Sequence, residues 1–307
     1  MPAGWQEFIL QAILTSRLKW DHNKSIFMHN KIILITGANA GIGKSTVKGL
    51  AQEGAKVIMA CRKKEKGDLA KAEIERHYPK AKLEVIECNL ASFHSVKNAA
   101  SQILQSYEHI DVLINNAGLF SSHKKMTEDG VEMQFGVNHL GHFLLTKLLL
   151  PLIEKSSYPK IINVSSVAHL HGTIDFDNLK DGKTPYNGLE AYAQSKLANV
   201  LFTRGLARKY PNIASHCLHP GVVNTSFGNK YSKWYLSLFW HFWKIFMLSS
   251  EQGAATSIHL ATSDRLPKGK ALFFDEKQKM RSFSDMAKND ILVKKLWDYS
   301  EQLIEEV

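Results

Sequence analysis

The sequence predicts an α/β fold: a single domain on a doubly wound (Rossmann) parallel sheet of about seven strands, with helices on both faces. Three observations carry that prediction. Short apolar runs rich in branched residues alternate with stretches of helical period from Lys31 onward. The connections between runs are of helix length rather than hairpin length, which joins neighbouring strands in parallel. The first run opens straight into a glycine-rich turn and a helix start, residues 36–44.

In chain order the runs are Lys31–Thr36, Lys56–Ala60, Lys82–Cys88, Ile110–Asn115, Lys160–Ser165, Ile213–His219 and Lys270–Phe274. Repeated βαβ units of this kind give a sheet covered on both faces, with its ligand crevice beyond the strand C-termini. Glu190–Tyr210 reads as a long helix. At 307 residues the chain is long for one core, so one domain over residues 31–307 with appendages is expected. Hydrophobic residues at 44% and charged residues at 22% exclude a disordered chain.

Two segments break the rhythm. Residues 1–30 set Trp5, Phe8, Ile9, Ala12 and Ile13 on one helical stripe, an amphipathic segment without a membrane-spanning run or a secretory signal. An insertion over residues 227–249 contains Tyr231–Leu248, dense in Trp, Tyr and Phe but too interrupted to span a bilayer. It reads as an interfacial helix or a substrate lid; the alternative is a buried helix or a subunit contact.

Lysine and arginine outnumber aspartate and glutamate by 39 to 29, a formal charge of +10 that favours anionic partners such as phosphates or acidic lipid, the equal alternative being a basic solvated surface. No RNA-recognition, zinc-finger or basic-zipper pattern is present, so nucleic acid is excluded as a partner. Cys61, Cys88 and Cys217 lie in or beside apolar runs without metal-ligand spacing, and the histidines form no H-E-x-x-H arrangement. Buried thiols in a reducing compartment, and no metal, are expected.

Glycines in the turn Gly37-Ala38-Asn39-Ala40-Gly41-Ile42-Gly43 let a pyrophosphate approach backbone N–H groups at a positive helix end. The second strand ends in Ala60-Cys61-Arg62-Lys63, without the acid that would hold a ribose 2′-hydroxyl. Arg62 suits a 2′-phosphate through its planar fork, and Lys44 in the first helical turn opposes the dipole unless an anion lies near. NADP(H) is therefore expected, unless both cations are plain surface charges. Tyr192 and Lys196, four apart on the long helix, share a face, and an ammonium beside a phenol favours the phenolate. Ser166 ends the fifth strand, where its hydroxyl can hold a substrate oxygen, and Pro220-Gly221-Val222-Val223-Asn224-Thr225 follows the sixth.

With Asn115-Asn116-Ala117-Gly118 and Asn138 added, these motifs stand in the order and spacing of the short-chain dehydrogenase/reductase family, which the chain resembles over residues 31–275. The resemblance implies a site with Ser166, Tyr192, Lys196 and Asn138 as catalytic residues, Asn138 supporting a proton relay with Lys196. It implies a cofactor site of Gly37, Asn39, Ala40, Gly41, Ile42, Gly43, Lys44, Arg62, Asn89, Leu90, Asn116, Ala117, Gly118, Tyr192, Lys196, Pro220, Gly221, Val223 and Thr225. Asn89 stands where many relatives place an Asp beside the adenine. The long interval from Ser166 to Tyr192, Asn138-His139-Leu140-Gly141-His142-Phe143 and His219-Pro220-Gly221 resemble the retinol dehydrogenase branch.

That likeness implies an enzyme interconverting a lipophilic alcohol with its aldehyde or ketone, such as retinol and retinal, Tyr192 being the acid or base. It further implies peripheral lipid contact on the cytosolic face of an intracellular membrane (endoplasmic reticulum or lipid droplet), or a cytoplasmic location. A homo-oligomer is compatible with it. The alternative, a membrane-associated NADP(H)-binding scaffold or regulator with weak activity, is opposed by the intact Ser166, Tyr192, Lys196 and Asn138.

Overall fold

The computed structural model describes residues 28–223 and 248–306. The amphipathic segment to residue 27, Thr225 and most of the aromatic insertion therefore lie outside the described residues.

One sheet contains β1 (Ile32–Thr36), β2 (Lys56–Cys61), β3 (Lys82–Glu87), β4 (Val112–Asn115), β5 (Lys160–Val164), β6 (Ala214–Leu218), β7 (Phe273–Phe274) and β8 (Met280–Arg281). Their order is β3-β2-β1-β4-β5-β6-β7-β8, parallel throughout except for β7 against β8. Successive side chains on a strand face opposite ways. In β1, Ile33 and Ile35 accordingly join one core, while Leu34 joins the other. Because both faces are apolar, the strand reads as an unbroken run rather than an alternation.

Helices α1 (Gly41–Gln52), α2 (Lys64–His77) and α6 (Ser250–Thr262) contribute Val47, Ile74 and Ile258 to the core that contains Ile33. On the other face lie α3 (Phe93–Ser106), α4 (Gly141–Glu154), α5 (Gly188–Lys209) and α8 (Asp290–Glu305), after the short α7 (Asp285–Lys288). Trp297 of α8 seats its ring 5.0 Å from that of Phe143 on α4. A Cβ on Gly205 of α5 would lie 2.6 Å from the same indole, so the glycine is what lets the two helices meet.

The sheet has one strand more than expected. Gln278 takes a positive φ of 63°, and the Asp275 carboxylate accepts the N–H groups of Lys277 and Lys279 and the Arg281 guanidinium. This turn folds Met280–Arg281 back on β7, and both β8 residues are exposed, leaving no apolar signature to read. Strand ends also shift. Residues 110 and 111 fall outside β4 because the Asp111 carboxylate, rather than a ladder carbonyl, accepts the Ile32 N–H at 2.8 Å. Residues 270–272 precede β7, where the Leu272 N–H goes to the His216 ring instead of the ladder. The α5 helix starts two residues early because Asn187 Oδ1 caps the N–H groups of Leu189 and Glu190.

Strand order reverses direction between β1 and β4, which opens a crevice at their C-terminal ends. Across the crevice, Val223 and Leu248 form a parallel bridge and the Leu248 N–H donates to the Val222 carbonyl at 2.9 Å. The chain thus departs and returns at one point beside Gly221.

Candidate active site

A cavity of about 540 Å³ occupies that crevice. At its β1 end, Gly37 and Gly41 adopt φ of 65° and 51°, conformations that a side chain would strain. Gly43, in the first turn of α1, lies so close to the glycine turn that a Cβ would be 2.2 Å from the Gly37 carbonyl oxygen. Ala40, at the N-cap, offers no side-chain acceptor, and the first turn of α1 contains no acid. That helix end is thus uncapped by the protein's own carboxylates and open to an anion. Asn39, Ala40, Ile42 and the three glycines all line the cavity.

The next wall comes from the end of β2. Arg62 lines the cavity, joined by Lys63 and Lys66, which the motif reading did not include. Lys66 stands in the first turn of α2, directly after the strand end that supplies Arg62, and that nearness was the signal available for it. Lys44 is placed differently from the expectation: its ammonium lies 2.5 Å from Glu73 on α2, away from the cavity lining. The pair draws the Glu73 carboxyl below its ordinary range, chiefly through the hydrogen bond from Lys44. With Lys125 and Lys196, the described lining holds cations and no carboxylate.

Asn89 and Leu90 line the far end beside Cys88 and Ala91. Asn89 is already engaged: its Oδ1 accepts the Ala91 N–H at 3.2 Å and its Nδ2 donates to Glu128. Asn116, Ala117 and Gly118 form the middle of the floor. Thr36 fixes them, its Oγ1 accepting the N–H groups of Asn116 and Ala117, each at 2.9 Å.

Ser166, Tyr192 and Lys196 line the same cavity from β5 and α5, and Pro220, Gly221 and Val223 close it after β6. Ser166 has two tasks: it caps the turn Val167–His171 by accepting the Ala168 N–H, and it hydrogen-bonds Tyr192. Burial raises the Tyr192 phenol to about 12, and its bond with Ser166 acts the other way. This differs from the expected stabilised phenolate, because Lys196 Nζ donates to the Val164 carbonyl at 3.2 Å and lies 5.7 Å from the phenol ring centroid. Burial pulls Lys196 itself down to about 8. Among the protein's own groups, desolvation outweighs the ammonium, so Tyr192 carries its proton at neutral pH.

Asn138 sits in a π-helical turn, Gly136–Leu140, and does not line the cavity. Its Oδ1 accepts the Leu119 N–H at 2.7 Å, and its Nδ2 donates to the Leu119 carbonyl and to Ser195 Oγ, both at 3.0 Å. The amide therefore clamps the segment after Gly118 rather than bonding Lys196. That segment and the turn below it supply an apolar wall of Leu119, Phe120, Met133 and Val137, absent from the motif reading. The Phe120 ring meets Tyr192 edge-on at 5.9 Å.

Among the described residues no helix is long and apolar enough to cross a membrane. Residues 31–236 match the short chain dehydrogenase family. The chain is 40% identical over 282 residues to human retinol dehydrogenase 11, covering 91% of this chain and 87% of that protein. With human retinol dehydrogenase 14 it shares 40% identity over 298 residues, covering 90% and 87%. A solved structure of a Mycobacterium paratuberculosis protein aligns with a TM-score of 0.73 at 32% identity, covering 94% of this chain and 98% of that one. A short chain dehydrogenase from Escherichia coli CFT073, complexed with NADPH, aligns at 0.64 and 24% identity over 83% and 99%, a likeness of fold.

Proposed function

This chain belongs to the short chain dehydrogenase family, and from that premise we propose that it is an NADP(H)-dependent oxidoreductase of lipophilic alcohols, aldehydes or ketones. The observation that carries the reading is one cavity uniting the uncapped glycine turn, a cation-only lining and Tyr192 with Ser166.

The residues present fit the dinucleotide. The N–H groups at the start of α1 would hold the pyrophosphate, and Arg62 with Lys63 and Lys66 would hold a 2′-phosphate. Pro220, Gly221 and Val223 would flank the nicotinamide, which when bound supplies the hydride that reduces a carbonyl carbon or receives it in the reverse direction.

Tyr192 carries its proton at neutral pH, the state in which it can serve as the acid of carbonyl reduction. Tyr192 donates its proton to the substrate oxygen while Ser166 holds that oxygen by a hydrogen bond. The phenolate left behind is stabilised by the buried Lys196 ammonium. Leu119, Phe120, Met133 and Val137 exclude water from the reacting carbon and favour an apolar substituent there. The relatives named retinol dehydrogenases support a retinol and retinal pair as candidate members of this substrate class. Peripheral membrane contact through the aromatic insertion and residues 1–30 rests on their composition alone.

The test is turnover of a carbonyl panel (retinal, a polyprenal, a steroid ketone, medium-chain aldehydes) with NADPH and NADH in detergent micelles. Reduction of an apolar carbonyl, faster with NADPH, is expected. Tight NADPH binding with no turnover of any member would turn the reading to a non-catalytic dinucleotide-binding protein.

A further inference from the structure

One buried imidazole joins the glycine turn to the π-turn that holds Asn138. His142, in the first turn of α4, is 1% exposed. Its Nε2 lies 2.8 Å from Thr36 Oγ1 and its Nδ1 lies 3.0 Å from the Asn138 carbonyl oxygen.

Counting protons fixes the tautomer. Thr36 Oγ1 already accepts from Asn116 and Ala117, so both its lone pairs are used and its own hydrogen is left to donate. Nε2 must then be the bare acceptor. Nδ1 carries the hydrogen and donates it to Asn138, whose carbonyl can only accept. Burial keeps the ring neutral by pulling its pKa down to about 4, so this arrangement persists at physiological pH.

The bonds continue on both sides. Thr36 fixes Asn116 and Ala117 against the glycine turn, and Asn138 clamps both backbone polar groups of Leu119 and reaches Ser195, the neighbour of Lys196. We propose that His142 is a positioning residue that holds the dinucleotide-binding turn and the Asn138-clamped substrate wall in fixed register. The proposal rests on the dehydrogenase reading given above. An ordinary core histidine would need only to fill volume; this one has a different partner at each ring nitrogen, and those partners belong to the two halves of the site.

Two variants separate the bonds, since an asparagine amide approximates the Nδ1 position and a glutamine amide reaches that of Nε2. In His142→Asn the bond to Asn138 is kept and that to Thr36 lost: NADPH affinity should fall about tenfold, with kcat at saturating cofactor nearly unchanged. In His142→Gln the opposite split is expected, near-native NADPH affinity with kcat reduced about tenfold. NADPH affinity is read by fluorescence titration, independently of turnover, and thermal melts accompany both variants. A third measurement needs no variant: ¹⁵N chemical shifts of the full-length wild-type protein without dinucleotide should show His142 as the Nδ1–H tautomer. An Nε2–H tautomer, or losses that scale only with melting temperature and show no opposite split, overturns the proposal. Failure of the wild-type protein to bind NADPH would instead overturn the functional reading, a separate result because the tautomer is measured without it.

Discussion

At the scale of single residues, the site depends on groups held in costly states. Tyr192→Phe removes the only transferable proton on the ring, so turnover should fall by orders of magnitude while NADPH titration stays close to wild type; preserved turnover with every accepted substrate would refute the acid role. Lys196 is the complementary case. Its folded pKa of about 8 lies below the free value of 10.5, so the penalty is complete below pH 8 and is relieved as pH rises towards 10.5. Lys196→Met should thus abolish turnover yet stabilise the dinucleotide-free protein at pH 7 by roughly 3 kcal/mol, seen as a raised Tm. The Val164 carbonyl keeps a partner in that variant, because Asn199 also donates to it. Combining Arg62→Asp with Lys66→Ala should weaken NADPH at least tenfold more than NADH, at roughly 1.5 to 3 kcal/mol per charge-assisted contact, whereas Lys44→Ala leaves the ratio unchanged. Equal losses of both nucleotides would point to damage in the shared part of the site. Residues whose chemistry is tied to a fixed spacing, such as Tyr192 with Lys196 or the glycines of the turn, were legible in sequence. Lys44 was misplaced because a helix-start cation can turn to a neighbouring carboxylate, and nothing in the sequence registers Glu73 as that neighbour.

Among elements, parallel strands buried on both faces announce themselves as apolar runs, and all of them were read to within a few residues. The eighth strand was not, since a two-residue exposed strand is defined by the Asp275 turn rather than by hydrophobicity. The π-turn around Asn138 was equally silent, because one extra residue in a helical turn leaves the apolar period nearly intact. Packing of α8 on α5 yields its own expectation. Trp297→Ala should cost about 3 to 5 kcal/mol in urea unfolding, as for other buried aromatic truncations. Gly205→Ala should cost about 1 to 3 kcal/mol, and less in a Trp297→Leu background where the indole no longer occupies the space. Strict additivity of the two changes would contradict the contact.

The molecule as a whole stores several neutral histidines. Burial pulls His142, His216 and His219 down to about 4 and His139 to about 3. Each is depressed below the unfolded value of about 6.5, so the unfolded chain binds protons first and stability declines as pH falls from 6.5 towards 4. The shifts all act in the same direction, so their effects on stability reinforce one another as pH falls. The urea midpoint should drop steeply between pH 6.5 and 4.5, above the window in which Glu73 or Asp290 protonate; a flat midpoint there would mean the rings are hydrated. The Val223–Leu248 bridge has a different consequence, one of chain topology. Where two points of a chain are already bonded, the entropy of closing the chain between them changes by only roughly 0.6 kcal/mol for each doubling of its length. The bridge from Val223 to Leu248 and the Leu248 bond to the Val222 carbonyl thus bring the two ends of that stretch together on the frame, so a sequence of another length joining them would change its closure cost by little.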